Sequence, residues 1–186
     1  MNRSSHTLLY IQWSSFIVAL FMTVTIMTSC NESRTYSHYN TVDVDGWQRG
    51  DTIKFPISSQ HEGTYELLLA LRATDAYPFT HITLIMEQQQ YKATVLKSIK
   101  KKAVLGKRYN LIGIRKDTIR CQINDNNGTL LGKAGISSTE LNYVIRKLRL
   151  HEADSLVIKL NHCMERESLA GISDIGIEIR GENSTF

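Results

Sequence analysis

Thr118–Leu131 reads TIRCQINDNNGTLL, and this stretch sets the reading of the whole domain. Ile119, Cys121 and Ile123 alternate with Arg120 and Gln122, the period of a strand with one face buried. Asp125-Asn126-Asn127-Gly128 follows, and Asn-Gly supplies the positive φ angles that a tight hairpin turn requires. Thr129–Leu131 then reads as the returning strand.

The same grammar extends in both directions. On the N-terminal side, Ile82–Glu87, Tyr91–Ile99 and Tyr109–Arg115 read as three separate short strands, with Tyr91, Ala93 and Val95 alternating against Lys92. Tyr65–Arg72, YELLLALR, is apolar enough for a strand buried on both faces. Thr52–Ile57, TIKFPI, puts Ile53, Phe55 and Ile57 on one face, and Pro56 suits it to a sheet edge. Toward the C-terminus, Leu156–Met164 and Ile175–Arg180 complete the set. Glu140–Glu152 is ambiguous. Leu141, Ile145 and Leu148 have helical spacing behind a Ser137/Glu140 capping box, yet VIRKLRL also alternates, with Val144, Arg146, Leu148 and Leu150 on one side; strand is the preferred reading. Eight or more short strands with turn residues between them imply an all-β single domain, a β-sandwich or jelly roll, over residues 41–181 with a tail at 182–186.

The beginning of the chain reads differently. Arg3 precedes an uncharged apolar run, Phe16–Met27, which is followed by Thr28-Ser29-Cys30. A basic start, a short apolar core and small residues before a cleavage point describe a secretory signal over 1–29. The run is shorter than the ~20 apolar residues of a spanning helix, although a retained helix beginning at Leu8 is the competing reading. Met27-Thr28-Ser29-Cys30 resembles a bacterial lipobox, which implies a lipid-bearing Cys30 and membrane anchoring by acyl chains. Residues 30–40 then read as a polar tether.

Without the signal, 21 basic residues face 18 acidic ones, too mild an excess to suggest a nucleic-acid partner. Lys97, Lys100, Lys101, Lys102, Lys107 and Arg108 form a basic stretch suited to anionic headgroups, an acidic partner or simply a solvated turn. Cys121 and Cys163 lie on opposite strand faces, which favours two separate thiols. Gly128–Ala134 superficially resembles a phosphate loop but has too short a glycine spacing and Ala134 where a hydroxyl is needed. His162-Cys163-Met164 lacks the further ligands of a copper site, and adjacent strand residues face opposite ways. No catalytic constellation is legible, and no enzyme activity, metal or cofactor is expected.

Tyr36, Tyr39, Trp47, Asp51 and Phe55, then Arg72, Tyr77-Pro78-Phe79, Ile82 and Leu84, then Leu130-Leu131-Gly132, His162, Met164 and Leu169–Gly176 (LAGISDIG) follow the lipobox in that order. In this pattern the chain resembles the GldH family of gliding-motility lipoproteins from Bacteroidetes-type bacteria. It departs from the family at LRLHEADSL, Leu148–Leu156, and where Glu165 separates Met164 from Arg166. The resemblance implies a non-catalytic envelope lipoprotein held to a membrane, the outer one ahead of the inner one, that works through envelope protein partners. A carbohydrate- or ligand-binding lipoprotein is the alternative. Trp47, Tyr77 and Phe79 are the aromatic candidates for an interaction surface, against core or turn duty. Export in such bacteria also implies O-glycosylation at Asp-Thr/Ser-apolar triplets, here at Thr52, Thr118 and Ser155; turn aspartates opening strands are the plainer reading.

Overall fold

The computed structural model describes residues 34–43, 46–96, 106–152 and 154–181. The expected signal at 1–29, Cys30, the lysines at 97 and 100–102 and the tail at 182–186 lie outside the described residues. Eleven strands lie among the described residues: β1 (Arg34–Thr41), β2 (Trp47–Gln48), β3 (Ile53–Ile57), β4 (Gly63–Ala73), β5 (His81–Leu96), β6 (Gly106–Gln122), β7 (Lys133–Ala134), β8 (Thr139–Leu150), β9 (Asp154–His162), β10 (Ser168–Leu169) and β11 (Ile172–Gly181).

They form two large antiparallel sheets, β1-β11-β4-β8-β7 and β3-β9-β5-β6, with a small β10-β2 pair. One apolar core joins the large sheets: Leu67, Leu69, Leu71, Ile175, Ile177 and Ile179 from the first, Phe55, Leu84, Met86, Ile158 and Leu160 from the second. β4 lies inside its sheet, and Leu67–Leu71 are all buried, as the unbroken apolar run requires. β3 is an edge strand, which accommodates Pro56 without loss of a ladder hydrogen bond. Gly128, at φ 84°, closes the expected Asn-Gly turn, and Asp125 Oδ1 accepts the amides of Asn127 and Thr129 at 2.8 Å. The returning strand is shorter than expected, because only Asn124 and Leu130 form a bridge.

Several expectations need correction. The four strands expected between Ile82 and Asn124 are two, β5 and β6, of 16 and 17 residues. They form one long hairpin with a bulge where Gln90–Tyr91 face Gly113–Leu111. Gln88–Gln90 and Lys116–Asp117, which look like turns in a sequence scan, stay in the ladder because their neighbours supply its hydrogen bonds. Residues 34–40 are not tether but edge strand β1, paired with β11 from Arg34↔Arg180 to Thr41↔Asp174. Its polar character reflects an edge position, with Tyr36 packing on the core. Glu140–Leu150 is wholly strand. Register jumps from Leu67↔Arg146 to Leu68↔Val144, so Ile145 is an extra residue. That bulge turns Leu141 and Leu148, which have opposite parity, to the same core and leaves Val144 exposed, contrary to the alternation expected for it. Helix-like spacing in this segment is therefore the imprint of a bulge.

The sandwich has two ends. At one, β4 begins, β8 ends, β9 starts and β3 finishes. At the other lie Ala73, Thr139, His81 and Gln122. β9 stops pairing with β5 at Asp154↔Lys92, so beyond it Ala93–Leu96 and Gly106–Tyr109 pair only with each other. This ribbon is the projecting end, at the Gly63–Leu150 end of the sandwich, of an arm whose base, Gln89–Lys92 with Asn110–Ile114, still has β9 beside it.

Candidate functional site

The end away from the arm gathers the aromatic residues singled out in the sequence. Trp47 and Tyr77 are 2% and 3% exposed, so they pack in the core instead of offering a surface, and Phe79 sits half-buried at the rim. Trp47 meets the His162 ring edge-on at 5.2 Å, and His162 Nε2 lies 2.9 Å from the Trp47 carbonyl. Desolvation lowers the His162 pKa, which keeps the ring neutral in the folded state. Tyr77 donates its hydroxyl to the His81 carbonyl at 2.9 Å. Gly171, at φ 83°, lies against the Tyr77 backbone, where a Cβ would collide with it. Asn124 Nδ2 donates to the Tyr77 and Phe79 carbonyls. Met164 sulfur accepts the Thr83 amide at 3.3 Å. This constellation is a structural knot that closes one end of the sandwich.

A groove of about 420 Å³ opens between the edges of β6 and β8, lined by Arg115, Asp117, Ile119, Cys121, Tyr143 and Arg146 among others. Arg146 crosses it to bond Asp117 and Gln88, and Arg115 bonds Asp117 at 3.0 Å. Those guanidinium contacts hold the Asp117 carboxyl below its usual range. Arg115, Arg146 and Asp117 thus satisfy one another within the groove. Burial pushes the Cys121 thiol up to about 11, which makes it a poor nucleophile. Cys121 is buried and Cys163 exposed, and the two are unbridged.

Of the three residues expected to accept glycans, Thr52 is exposed just before β3, Thr118 is exposed within β6, and Ser155 is half-buried beside its ladder partner Tyr91. Thr118 stands mid-strand, so the explanation by a strand-opening aspartate does not apply to it. Asp154 is buried and accepts bonds from Gln90 Nε2 and the His151 amide, a structural role that accounts for its position before Ser155.

The family's sequence model for the GldH lipoprotein matches residues 34–179, from β1 to β11. The chain belongs to the GldH lipoprotein family. No curated protein matches it. The GldH match covers both sheets, the knot and the arm, so the whole fold is the family's unit. Sequence reading missed the exposed residues of β6. Tyr109, Leu111, Ile112 and Ile114 are 48–56% exposed, although their run looks like any core strand. The available signal was the cationic flank, Lys107-Arg108 and Arg115-Lys116, which a buried strand would not carry.

Proposed function

We propose that this protein is an envelope lipoprotein anchored through Cys30 that serves as a non-catalytic component of the gliding machinery or its linked secretion apparatus. The carrying observation is the family match over 34–179 directly behind the lipobox-like Met27–Cys30. The described residues supply the rest. The Asp117–Arg115–Arg146 and Glu87–Lys116–Lys159 clusters are internally paired, and Trp47 and Tyr77 are buried, which suits a scaffold better than a reaction centre. Open strand edges at β6 and β8 provide the protein-contact surface, since an edge presents unpaired amides and carbonyls. Outer-membrane attachment, with the domain outside the cytoplasm, is part of the same reading.

Two experiments test it. Cys30→Ser abolishes incorporation of a palmitate analogue; unchanged labelling refutes the anchor. C-terminally tagged protein from gently solubilised host membranes co-purifies with gliding or secretion components. Recovery as a lone monodisperse lipoprotein refutes the machinery role and directs attention to ligand binding by the domain.

A further inference from the structure

The arm carries an asymmetry in both polarity and charge. Register places Gln89 opposite Ile114, Tyr91 opposite Leu111 and Ala93 opposite Tyr109, so the apolar Ile114, Tyr91, Leu111, Ala93 and Tyr109 share one face that runs from the base of the arm onto the ribbon. Lys92 opposite Asn110 and Thr94 opposite Arg108 make the other face polar. Ile112 is the bulged residue between the Leu111 and Gly113 pairs. Among the described residues, no strand pairs with the outer edge of β6. At the base of the apolar face stands Glu87, bonded to Lys116 at 2.9 Å and Lys159 at 3.1 Å; these partners lower its pKa to about 2 and cancel its charge.

Charge is segregated along the chain to the same effect. Residues 88–116 hold nine of the 22 basic residues and none of the 18 acidic ones, leaving, without Arg3 of the signal, 12 basic against 18 acidic in the rest of the mature chain. The body therefore carries the opposite net sign to the arm. A negatively charged plane attracts one and repels the other, which orients the domain arm-first.

We propose that the β5–β6 arm is a membrane-contact element. Its Tyr91, Tyr109, Leu111 and Ile114 face lies among the headgroups of an anionic bilayer, with Lys107 on that face and Lys92 and Arg108 on the reverse face reaching lipid phosphates around it. Aromatic and aliphatic side chains on one side and long cationic ones flanking them match the chemistry of the membrane interface. Position favours a bilayer over a protein partner. β1 starts at Arg34, whose ladder partner Arg180 pairs with Glu66, three residues from the Gly63 end of β4. The chain thus enters the domain near the end from which the arm projects. Arg34 is four residues from Cys30, a reach of at most ~14 Å at the extended spacing. An anchor there holds the arm's end of the sandwich toward the lipid, so this inference rests on the anchor reading above.

The test uses the mature lipidated protein carrying Tyr109→Trp, floated on phosphatidylcholine vesicles with or without phosphatidylglycerol and doxyl-labelled lipid. Flotation on both vesicle types reports the anchor. The arm is reported by a blue-shifted introduced indole that the doxyl lipid quenches on anionic vesicles and much less on neutral ones. Combined Lys92→Glu, Lys107→Glu and Arg108→Glu leaves flotation intact and lowers the arm's bound-to-free ratio on anionic vesicles by at least about a hundredfold, since each reversal removes an attraction and adds a repulsion. Failure to float removes the anchor reading and this proposal with it. Flotation with an indole that remains water-exposed on anionic vesicles removes the proposal alone. Shielding that is independent of lipid charge and of the three reversals assigns the apolar face to a second copy of the chain, and equally overturns it.

Discussion

β4 and the arm half of β6 are both runs of Leu, Ile and aromatic residues in long antiparallel strands, yet they meet opposite fates. Leu67–Leu71 are at most 2% exposed, whereas Tyr109, Leu111, Ile112 and Ile114 are about half exposed. Composition does not separate them. What differs is that β4 has a strand on each side and a second sheet over its inner face, while Tyr109, Leu111 and Ile114 lie on the outward face of edge strand β6, where no layer among the described residues covers them. Apolar side chains stabilise a fold only where another layer removes them from water; elsewhere they remain available for a different surface.

That contrast can be broken by substitution. The largest effect is expected from Leu69→Ala, which empties space at a fully buried position and should cost about 2–5 kcal/mol, read as a lowered denaturation midpoint. A midpoint near that of the parent protein would mean the two sheets do not share one core. Next comes Gly171→Ala. It forces a Cβ into positive φ and into the Tyr77 backbone, at about 1–3 kcal/mol for the backbone conformation alone with the steric contact in addition. Its counterpart Gly113→Ala has open space around it and should leave stability nearly unchanged; equal losses in thermal unfolding would contradict the distinction between knot and arm.

A smaller effect comes from pH. His162 is fully buried with a pKa below its ordinary 6.5, so between the folded and unfolded values the unfolded chain binds more protons. The contribution of the neutral ring is present in full above about pH 6.5 and declines as pH falls through the window beneath it. The melting temperature should drop on moving from neutral to mildly acidic buffer, and His162→Gln should flatten that slope. An unaltered slope in the variant would assign the drop to other groups. Smallest of all, Leu111→Ala should change stability by no more than about 0.5 kcal/mol, despite removing the same side chain as Leu69→Ala. A loss comparable to the core substitution would show that the arm is packed against something.

Legibility followed the same division. Pro56 marked an edge, the five consecutive apolar residues of β4 marked a doubly buried strand, and Asp125–Gly128 marked a turn, because each signal is contained in a few adjacent residues. The candidate surface was less legible. Trp47, Tyr77 and Phe79 are aromatic residues of kinds that serve at interfaces, but the same apolar area serves equally well in a core, and Gly171 and His162 draw two of them inward. The reverse error befell β6, whose exposed face was indistinguishable from a buried one by alternation alone.

By itself the sequence determined that this is an all-β chain, that Tyr65–Arg72 is buried on both faces and Thr52–Ile57 lies at an edge, and that a lipobox-like cysteine precedes them; period-2 alternation and turn chemistry are local properties of the chain. Only the tertiary structure decided that Arg34–Thr41 is a strand, that four expected strands fuse into β5 and β6, and that a bulge at Ile145 brings Leu141 and Leu148 to one face. Each of those outcomes depends on what lies across the sheet or above it. A strand edge satisfies its backbone only with a neighbour distant in sequence, and a side chain is buried only when another layer covers it.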